Sequence, residues 1–334
     1  MPPRRIQSGL PQTELAHLPA RIAALALVVD DAESVRRTQR VSGGSVRTTA
    51  VVRLRGRAAE GVGEDVTFQL GDLLGPGEVA LLRERVGWDG ARTLGDLWSL
   101  LDTVDLFERS PPVDAVRAYR RWAIEAAALD LALKQAGTTF AELVGRRAEP
   151  VRFVASVPPE RAALLPPGVR LKLDADALTP GLPVEVVDFK GAGDATLVNR
   201  VRVLYPDALL EDPPVVPAGA RLSWDIGVRS QADLDCRATP AAVNVKPARV
   251  GSFRGVLELY AACAARGIGL YGGGQWEIGP GRGQAQLLAA LFHADAPNDL
   301  APAAYNEDPL PATMPASPLQ VRPRLGFGLA GDEL

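Results

Sequence analysis

Seven short apolar runs follow one another between residues 151 and 272, and five of them carry a charged side chain at or next to their C-terminal end. The runs lie at 151–156, 169–173, 184–188, 208–211, 221–225, 242–246 and 268–272. The charges are Lys172 in VRLKLD, Asp188 in VEVVDFKG, Glu211 in ALLEDPP, Asp225 in RLSWDIG and Lys246 in AVNVKPA. Helical patterns at 194–204, 251–266 and 281–292 alternate with these runs, which predicts parallel strands buried on both faces. A buried charge without a partner is expensive. One Asp or Lys after an apolar run ordinarily reaches solvent. The ordered series Lys, Asp, Glu, Asp, Lys is met economically by a barrel that gathers all five at one end. Active sites of such barrels lie at the C-terminal ends of the strands.

The set has a chemical logic. Three carboxylates from successive strands offer the hard oxygen ligands that Mg²⁺ requires while leaving positions open for substrate. A divalent ion on a substrate carboxylate stabilises the charge that appears when the α-proton leaves. Lysines in a desolvated, cation-rich site have lowered pKa values and can act as base or acid. Lys172 and Lys246 come from strands four apart in a barrel of eight, so they are expected to face each other across the substrate. Mn²⁺ is the expected substitute ion.

Elsewhere the chain reads as follows. Residues 1–20 hold four prolines and no clear periodicity, and are expected to be a loose tail. Residues 21–30 and 46–55 read as strands, and a third begins within 61–68. In the second, Val46, Thr48, Ala50, Val52 and Leu54 share a face at period two. Residues 113–144 are mostly helical, with Gly137 as a stop. Only residues 174–183 join the second and third barrel strands, no more than the minimum of about 10–12 residues for a full crossover, so a helix there is expected to be shortened or missing. The tail from Ala294 is expected to pack back across the first domain. The fold class expected is α/β: a contracted, modified (β/α)7β TIM-like barrel with an α+β capping domain. The cap spans 21–125, completed by 295–334, and the barrel spans 126–294.

Several segments resemble the muconate lactonizing enzyme branch of the enolase superfamily, over roughly residues 20–300. VRTTAVVRLRG and GVGED resemble that branch's strand pair and Gly-x-Gly-Glu turn. RRWAIEAAALDLALKQAGTTFAELVG resembles the helix leading into its barrel, and LYGGGQWEIGPGRG its glycine-rich late segment. The resemblance implies a metal-dependent lyase or isomerase: cycloisomerase, dehydratase or epimerase. It implies Asp188, Glu211 and Asp225 as metal ligands, Lys172 and Lys246 as the acid/base pair, and Glu277 as a residue lining the pocket; Arg170, Lys190 and Asn244 are expected with Glu277 as substrate-binding residues. Three departures stand out. Arg170 replaces the first lysine of Lys-x-Lys and is expected to point inward beside Lys172. Asp188-Phe189-Lys190 puts a cation next to the first ligand. The barrel is contracted.

Composition and absences narrow the field. A formal net charge of −3 and short basic pairs (Arg36–Arg37, Arg120–Arg121, Arg146–Arg147), read as solvated faces, leave no nucleic-acid footprint. Two cysteines, Cys236 and Cys263, read as small apolar helix residues in a reducing compartment. No apolar run reaches membrane-spanning length, and the short run at 22–29 lacks a cleavage signal, so a cytoplasmic protein is expected, without membrane partner and as a homo-oligomer acting on a small carboxylate. His17 and His293 are the only histidines, so the His-Asp pair of mandelate racemase-type sites is not expected. The glycines at 272–274, 279, 281 and 283 resemble an anion cradle, though backbone close approach suits them better. Trp224 is expected to pack outward, and Trp276 to lie on a mouth loop. The capping loop around 36–46, with Arg36, Arg37 and Arg40, is expected to select substrate. Two readings of other classes stand beside the first: a metal-free Schiff-base aldolase or decarboxylase using Lys172, Lys190 or Lys246, and a non-catalytic scaffold.

Overall fold

The computed structural model describes residues 12–331 except 70, 76, 77, 80–82, 85, 86 and 236, so Cys236 lies outside the described residues. A first helix, α1 (Gln12–Ala23), precedes an antiparallel sheet of β1 (Asp31–Val41), β2 (Ser45–Gly56) and β3 (Ala59–Asp65). Two expectations change here. The reading of residues 1–20 as a loose tail fails over 12–20, where the chain is helical and buries Leu15 and Leu18, with Ile22 on the next turn. The first strand is 31–41 rather than 21–30. Its residues are mostly polar and half of its length is exposed because it is an edge strand with one covered face, so no apolar run marks it. The supposed loop at 36–46 is accordingly the hairpin of β1 and β2, with its turn at Ser42–Gly44.

The central strand β2 buries both faces. Ala50, Val52 and Leu54 are buried as the alternation predicts, but so are Arg47, Thr49 and Val51 on the other face. Helix α2 (Leu94–Leu101) starts at a Thr93–Asp96 capping box. The long α3 (Ala115–Gln135) follows, rich in strong helix formers, and stops before Gly137 (φ +67°). Helix α4 (Phe140–Val144) has its own capping box at Thr139–Glu142. α3 lies directly on β3. A Cβ at Gly61 would sit 2.2 Å from the Ala127 carbonyl oxygen, and one at Gly63 2.0 Å from that of Ala123. Arg120 does not sit on a solvated face. It is fully buried under Phe107 (3.7 Å to the ring), near Asp65 (3.5 Å), and donates to Leu106 O (3.0 Å).

The second half is a parallel sheet in the order β10-β9-β8-β7-β6-β5-β4. Its strands are β4 (Val154–Ser156), β5 (Arg170–Asp174), β6 (Val184–Asp188), β7 (Leu209–Glu211), β8 (Leu222–Trp224), β9 (Ala242–Val245) and β10 (Gly269–Gly272). Parallel bridges Gly273–Asp299 and Phe153–Asn298 close the ring, so residues 298–299 serve as an eighth strand. Helices α5 (Ala195–Leu204), α6 (Pro247–Val250), α7 (Phe253–Ala265) and α8 (Pro280–Phe292) lie on the outside, and no helix occurs between β5 and β6, as the short crossover predicts. Val186, Leu209, Ala242, Tyr271 and Ala296 fill the barrel interior as a small core of their own. Cys263 is a buried residue of α7, and Trp224 packs with its Nε1 donating to Ala238 O (2.8 Å). The C-terminal segment meets the cap at the Val41–Glu307 bridge. It also runs along the barrel flank at Val151–Leu319 and against α3, where Asp130 accepts from Arg324 and Phe327. No described helix is long and apolar enough to cross a membrane.

Candidate metal centre at the barrel mouth

The five charges of the sequence series meet at one end of the barrel. Asp188 closes β6, Glu211 closes β7, Asp225 follows β8, Lys246 follows β9, and Lys172 lies on β5. All three carboxylates are buried, and one ligand oxygen from each lies within 4.8 Å of the others. Lys172 Nζ donates to Glu211 and to Asp299 Oδ2 (3.1 Å), and lies 3.4 Å from Asp188 Oδ2. Lys246 Nζ donates to Asp225 Oδ2 at 2.7 Å. β5 and β9 are four positions apart in the ring, which sets the two ammonium groups on opposite sides of the triad.

The electrostatics follow from this crowding. Burial would strip Lys172 of its proton, but Asp299, Glu211 and Asp188 outweigh it and hold the pKa well above the usual lysine range. Burial pushes Glu211 up to about 8, against the pull of Lys172 and with help from Asp225 and Asp188. Burial acts on Asp225 in the same sense, yet Lys246, Lys172 and Arg249 bring it down to about 2. The two lysines thus offset part of the triad's negative charge. Hard carboxylate oxygens grouped at this spacing fit a divalent cation.

A second ring of groups fixes these side chains. Tyr271 on β10 donates to Glu211 from the barrel floor, and its hydroxyl oxygen lies in hydrogen-bond contact with Ser223 Oγ (3.0 Å). Asn244 donates to Glu211 Oε2 at 3.2 Å and leaves its own buried Oδ1 without a partner. Arg249, one helical turn beyond Lys246, donates to Asp225 Oδ1 (2.5 Å) and O (2.6 Å). With the Gln275 amide oxygen turned toward it, Arg249 also donates to that side chain at 2.9 and 3.1 Å. Asp212 adopts φ +45° and accepts from the N–H groups of Asp225 and Ile226 (2.7 Å) and from Arg237 (3.0 Å). Gly273 leaves room for the site: a Cβ there would lie 2.2 Å from Asn244 Oδ1 and 2.7 Å from Lys246 Cε.

The capping domain grips the glycine-rich mouth loop. Glu64 on β3 accepts from the N–H groups of Ile278 (2.9 Å), Gly279 (3.0 Å) and Gly281 (3.0 Å) at the start of α8, and from Thr49. The protein's own carboxylate therefore fills the anion cradle suggested by the glycines. Arg47 on β2 donates to Trp276 O at 3.2 Å. Glu277 is buried in the same loop beside Arg282 (3.4 Å). Trp276 is 41% exposed, with φ +61°.

Two expected site residues lie elsewhere. Arg170 starts β5, two residues below Lys172, so its half-exposed side chain leaves by the opposite end of the barrel to reach Val184 O (3.2 Å) and approach Glu185 (3.9 Å). Lys190 turns outward to Asp174 (2.5 Å), and only its backbone N–H meets Asp188 (2.9 Å). Asp299, Tyr271, Arg249, Arg47 and Glu64 were absent from the expected set. Asp299 has no apolar run before it, because its strand is two residues long. Arg249 carried a usable signal, since a residue three beyond Lys246 on a helical turn returns to the same side.

Residues 20–143 match the family described as Domain of unknown function (DUF8230) N-terminal domain, and residues 147–307 match the corresponding C-terminal domain. A comparison with curated proteins gives no match. Among solved structures, an enolase superfamily member from Listeria innocua Clip11262 aligns with TM-score 0.68 and 17% identity over 91% of this chain and 94% of that one. A muconate cycloisomerase from Pseudomonas fluorescens gives 0.63 and 20% over 92% and 97%. A dipeptide epimerase from Enterococcus faecalis V583, complexed with Mg and the dipeptide L-Leu-L-Tyr, gives 0.66 and 16% over 91% and 99%. The chain thus shares the capped-barrel fold of the enolase superfamily.

Proposed function

We propose, for a chain that belongs to the DUF8230 family and is built on the enolase-superfamily fold, a divalent-metal-dependent lyase or isomerase that removes a proton α to a substrate carboxylate. The observation that carries this reading is the triad Asp188, Glu211 and Asp225, with ligand oxygens within 4.8 Å and an ammonium group on either side. In this reading the three carboxylates hold Mg²⁺, with Mn²⁺ as a substitute. The ion supplies positive charge to the substrate carboxylate, where the charge of proton loss appears.

The chain's own residues do the rest. Lys172 and Lys246 face the substrate from opposite sides, so one takes the α-proton and the other delivers one or steadies charge. When the triad turns to a cation, Lys172 keeps Asp299 as its anionic partner and its proton becomes easier to lose. The free Oδ1 of Asn244 accepts from a substrate N–H or O–H, and Glu277 shapes the mouth loop. Arg170 and Lys190 drop out of the substrate-binding set. Cycloisomerisation, dehydration and epimerisation all begin with this proton transfer. The Schiff-base reading is disfavoured, because a lysine buried among three carboxylates stays protonated and is a poor nucleophile.

The test is titration calorimetry with Mg²⁺ on the wild type and on Glu211→Gln. Saturable binding that the variant loses, followed by solvent deuterium entering the α-carbon of a carboxylate ligand, supports the proposal. An absence of binding at millimolar Mg²⁺ and Mn²⁺ sinks it. Binding without exchange across a broad carboxylate panel favours a non-catalytic role.

A further inference from the structure

Among the described residues, no α-helix joins β7 to β8 or β8 to β9, and the second connection holds only a 3-10 turn at Gln231–Asp235. The outer face of these strand ends is thus left without a covering helix. A cavity of about 250 Å³ lies there, lined by Lys190, Asp212, Pro213, Trp224, Ile226 and Arg237. Successive side chains of a strand point to opposite faces. Glu211 and Asp225 turn to the triad, so the adjoining Asp212 and Trp224 serve the flank. The cavity shares no lining residue with the triad, and none of its lining residues belongs to the capping domain.

Arg237 is the polar centre of this cavity. Its Nη1 donates to Asp212 Oδ1 at 3.0 Å, and its guanidinium lies 5.2 Å from the Trp224 ring centroid. A Cβ at Gly227 would stand 2.2 Å from Nη2, so the glycine gives the guanidinium its place. Among the described residues, Nε and Nη2 have no hydrogen-bond partner. Asp212 is already engaged by the N–H groups of Asp225 and Ile226 as well as by Nη1. Lys190 adds a second cation. Its ammonium group is tied only to the exposed Asp174, and a surface pair of that kind yields easily to a better-placed anion. The free hydrogen-bonding capacity of the lining is therefore cationic. The remaining walls are apolar: Pro213, the buried Trp224, and Ile226, which is 44% exposed. A guanidinium with unused N–H groups matches a carboxylate, and apolar walls reward attached hydrocarbon. The volume falls just below the ~300 Å³ at which sites for drug-sized ligands begin, which suits a single ring.

We propose that this flank cavity is a second binding site, for a small carboxylate carrying an apolar body of one ring. Arg237 and Lys190 hold the carboxylate, and Ile226 and Pro213 cover the ring. The site stands apart from the metal-dependent function proposed above and survives if that reading fails.

The experiment is titration calorimetry with benzoate, acetate, benzyl alcohol and inorganic phosphate. It is run on metal-free wild-type protein and on Glu211→Gln, so that no ion at the triad captures the carboxylate. Benzoate is expected to bind at least tenfold tighter than the other three in both proteins. Arg237→Gln should weaken benzoate tenfold or more, Lys190→Gln at least threefold, and Arg237→Lys should keep part of the affinity. The Lys190 side chain touches only the exposed Asp174, so Lys190→Gln keeps the test decisive should Arg237→Gln loosen Asp212. Equal affinity for benzoate, acetate and phosphate would mean an adventitious anion patch and overturns the proposal. Benzoate binding that neither Arg237→Gln nor Lys190→Gln lowers overturns it as well.

Discussion

Burial holds the His293 imidazole neutral: its pKa falls to about 4, although the hydrogen bond with Asn298 (2.7 Å) favours the charged ring. Its other nitrogen meets Tyr260 Oη at 2.9 Å. The folded protein thus binds fewer protons here than the unfolded chain between about pH 4 and the ordinary histidine value near 6.5. This contribution to stability is complete above about pH 6.5 and is lost as pH falls through about 4. The full span is worth about 3 kcal/mol. Urea titrations at pH 4.5 and 7.5 should therefore show a smaller stability difference for His293→Gln than for the wild type, and equal differences would contradict the assignment. His293 therefore sits in the core, while His17 is exposed on α1. The expectation that Arg170 points into the site was wrong for a reason of position. Period two fixes which face a side chain takes, but not how far along the barrel axis it sits.

The link between cap and barrel is made by single elements. Gly63 lets β3 touch α3, and an alanine there would place its Cβ 2.0 Å from a backbone oxygen. Gly63→Ala should cost about 3 kcal/mol in denaturant unfolding, and a change below about 1 kcal/mol would show that the helix can slide away. One residue further along, Glu64 reaches across to three N–H groups at the start of α8. At the rim between β7 and β8, Asp212 carries the backbone of Asp225. Supporting groups of this kind typically change metal affinity by about 10–100-fold when lost. Asp212→Asn is therefore expected to weaken Mg²⁺ binding roughly tenfold with little change in melting temperature. Unchanged affinity by calorimetry would assign Asp212 to folding alone. The sequence carries both places, as GVGED and as ALLEDPP, where Glu211 alone is singled out, and it did not reveal what Glu64 and Asp212 hold.

At the scale of the whole molecule, the C-terminal segment belongs to the core. Arg324 donates to Asp130 at 2.8 and 3.2 Å, and the Phe327 N–H donates at 2.7 Å, so α3 and the last turn share one buried carboxylate. Arg324→Ala should cost about 3 kcal/mol, because it strips charge compensation from a buried Asp. Chemical denaturation at neutral pH checks this, and a loss under about 0.5 kcal/mol would mean that Lys134, whose Nζ lies 3.1 Å from Asp130 Oδ2, alone suffices. The sequence by itself determined the parallel barrel, its thin crossover after β5, and the order of Lys172, Asp188, Glu211, Asp225 and Lys246. Apolar periodicity and strand-end position are local properties and survive as such into the fold. Only the tertiary structure decided which other groups complete the site. Asp299, Tyr271, Arg249, Arg47 and Glu64 lie outside the charged strand ends that the series marks. Apart from Arg249, whose place one turn beyond Lys246 is legible, their roles come from contacts closed between distant segments, and a chain read one residue after another carries no record of those distances.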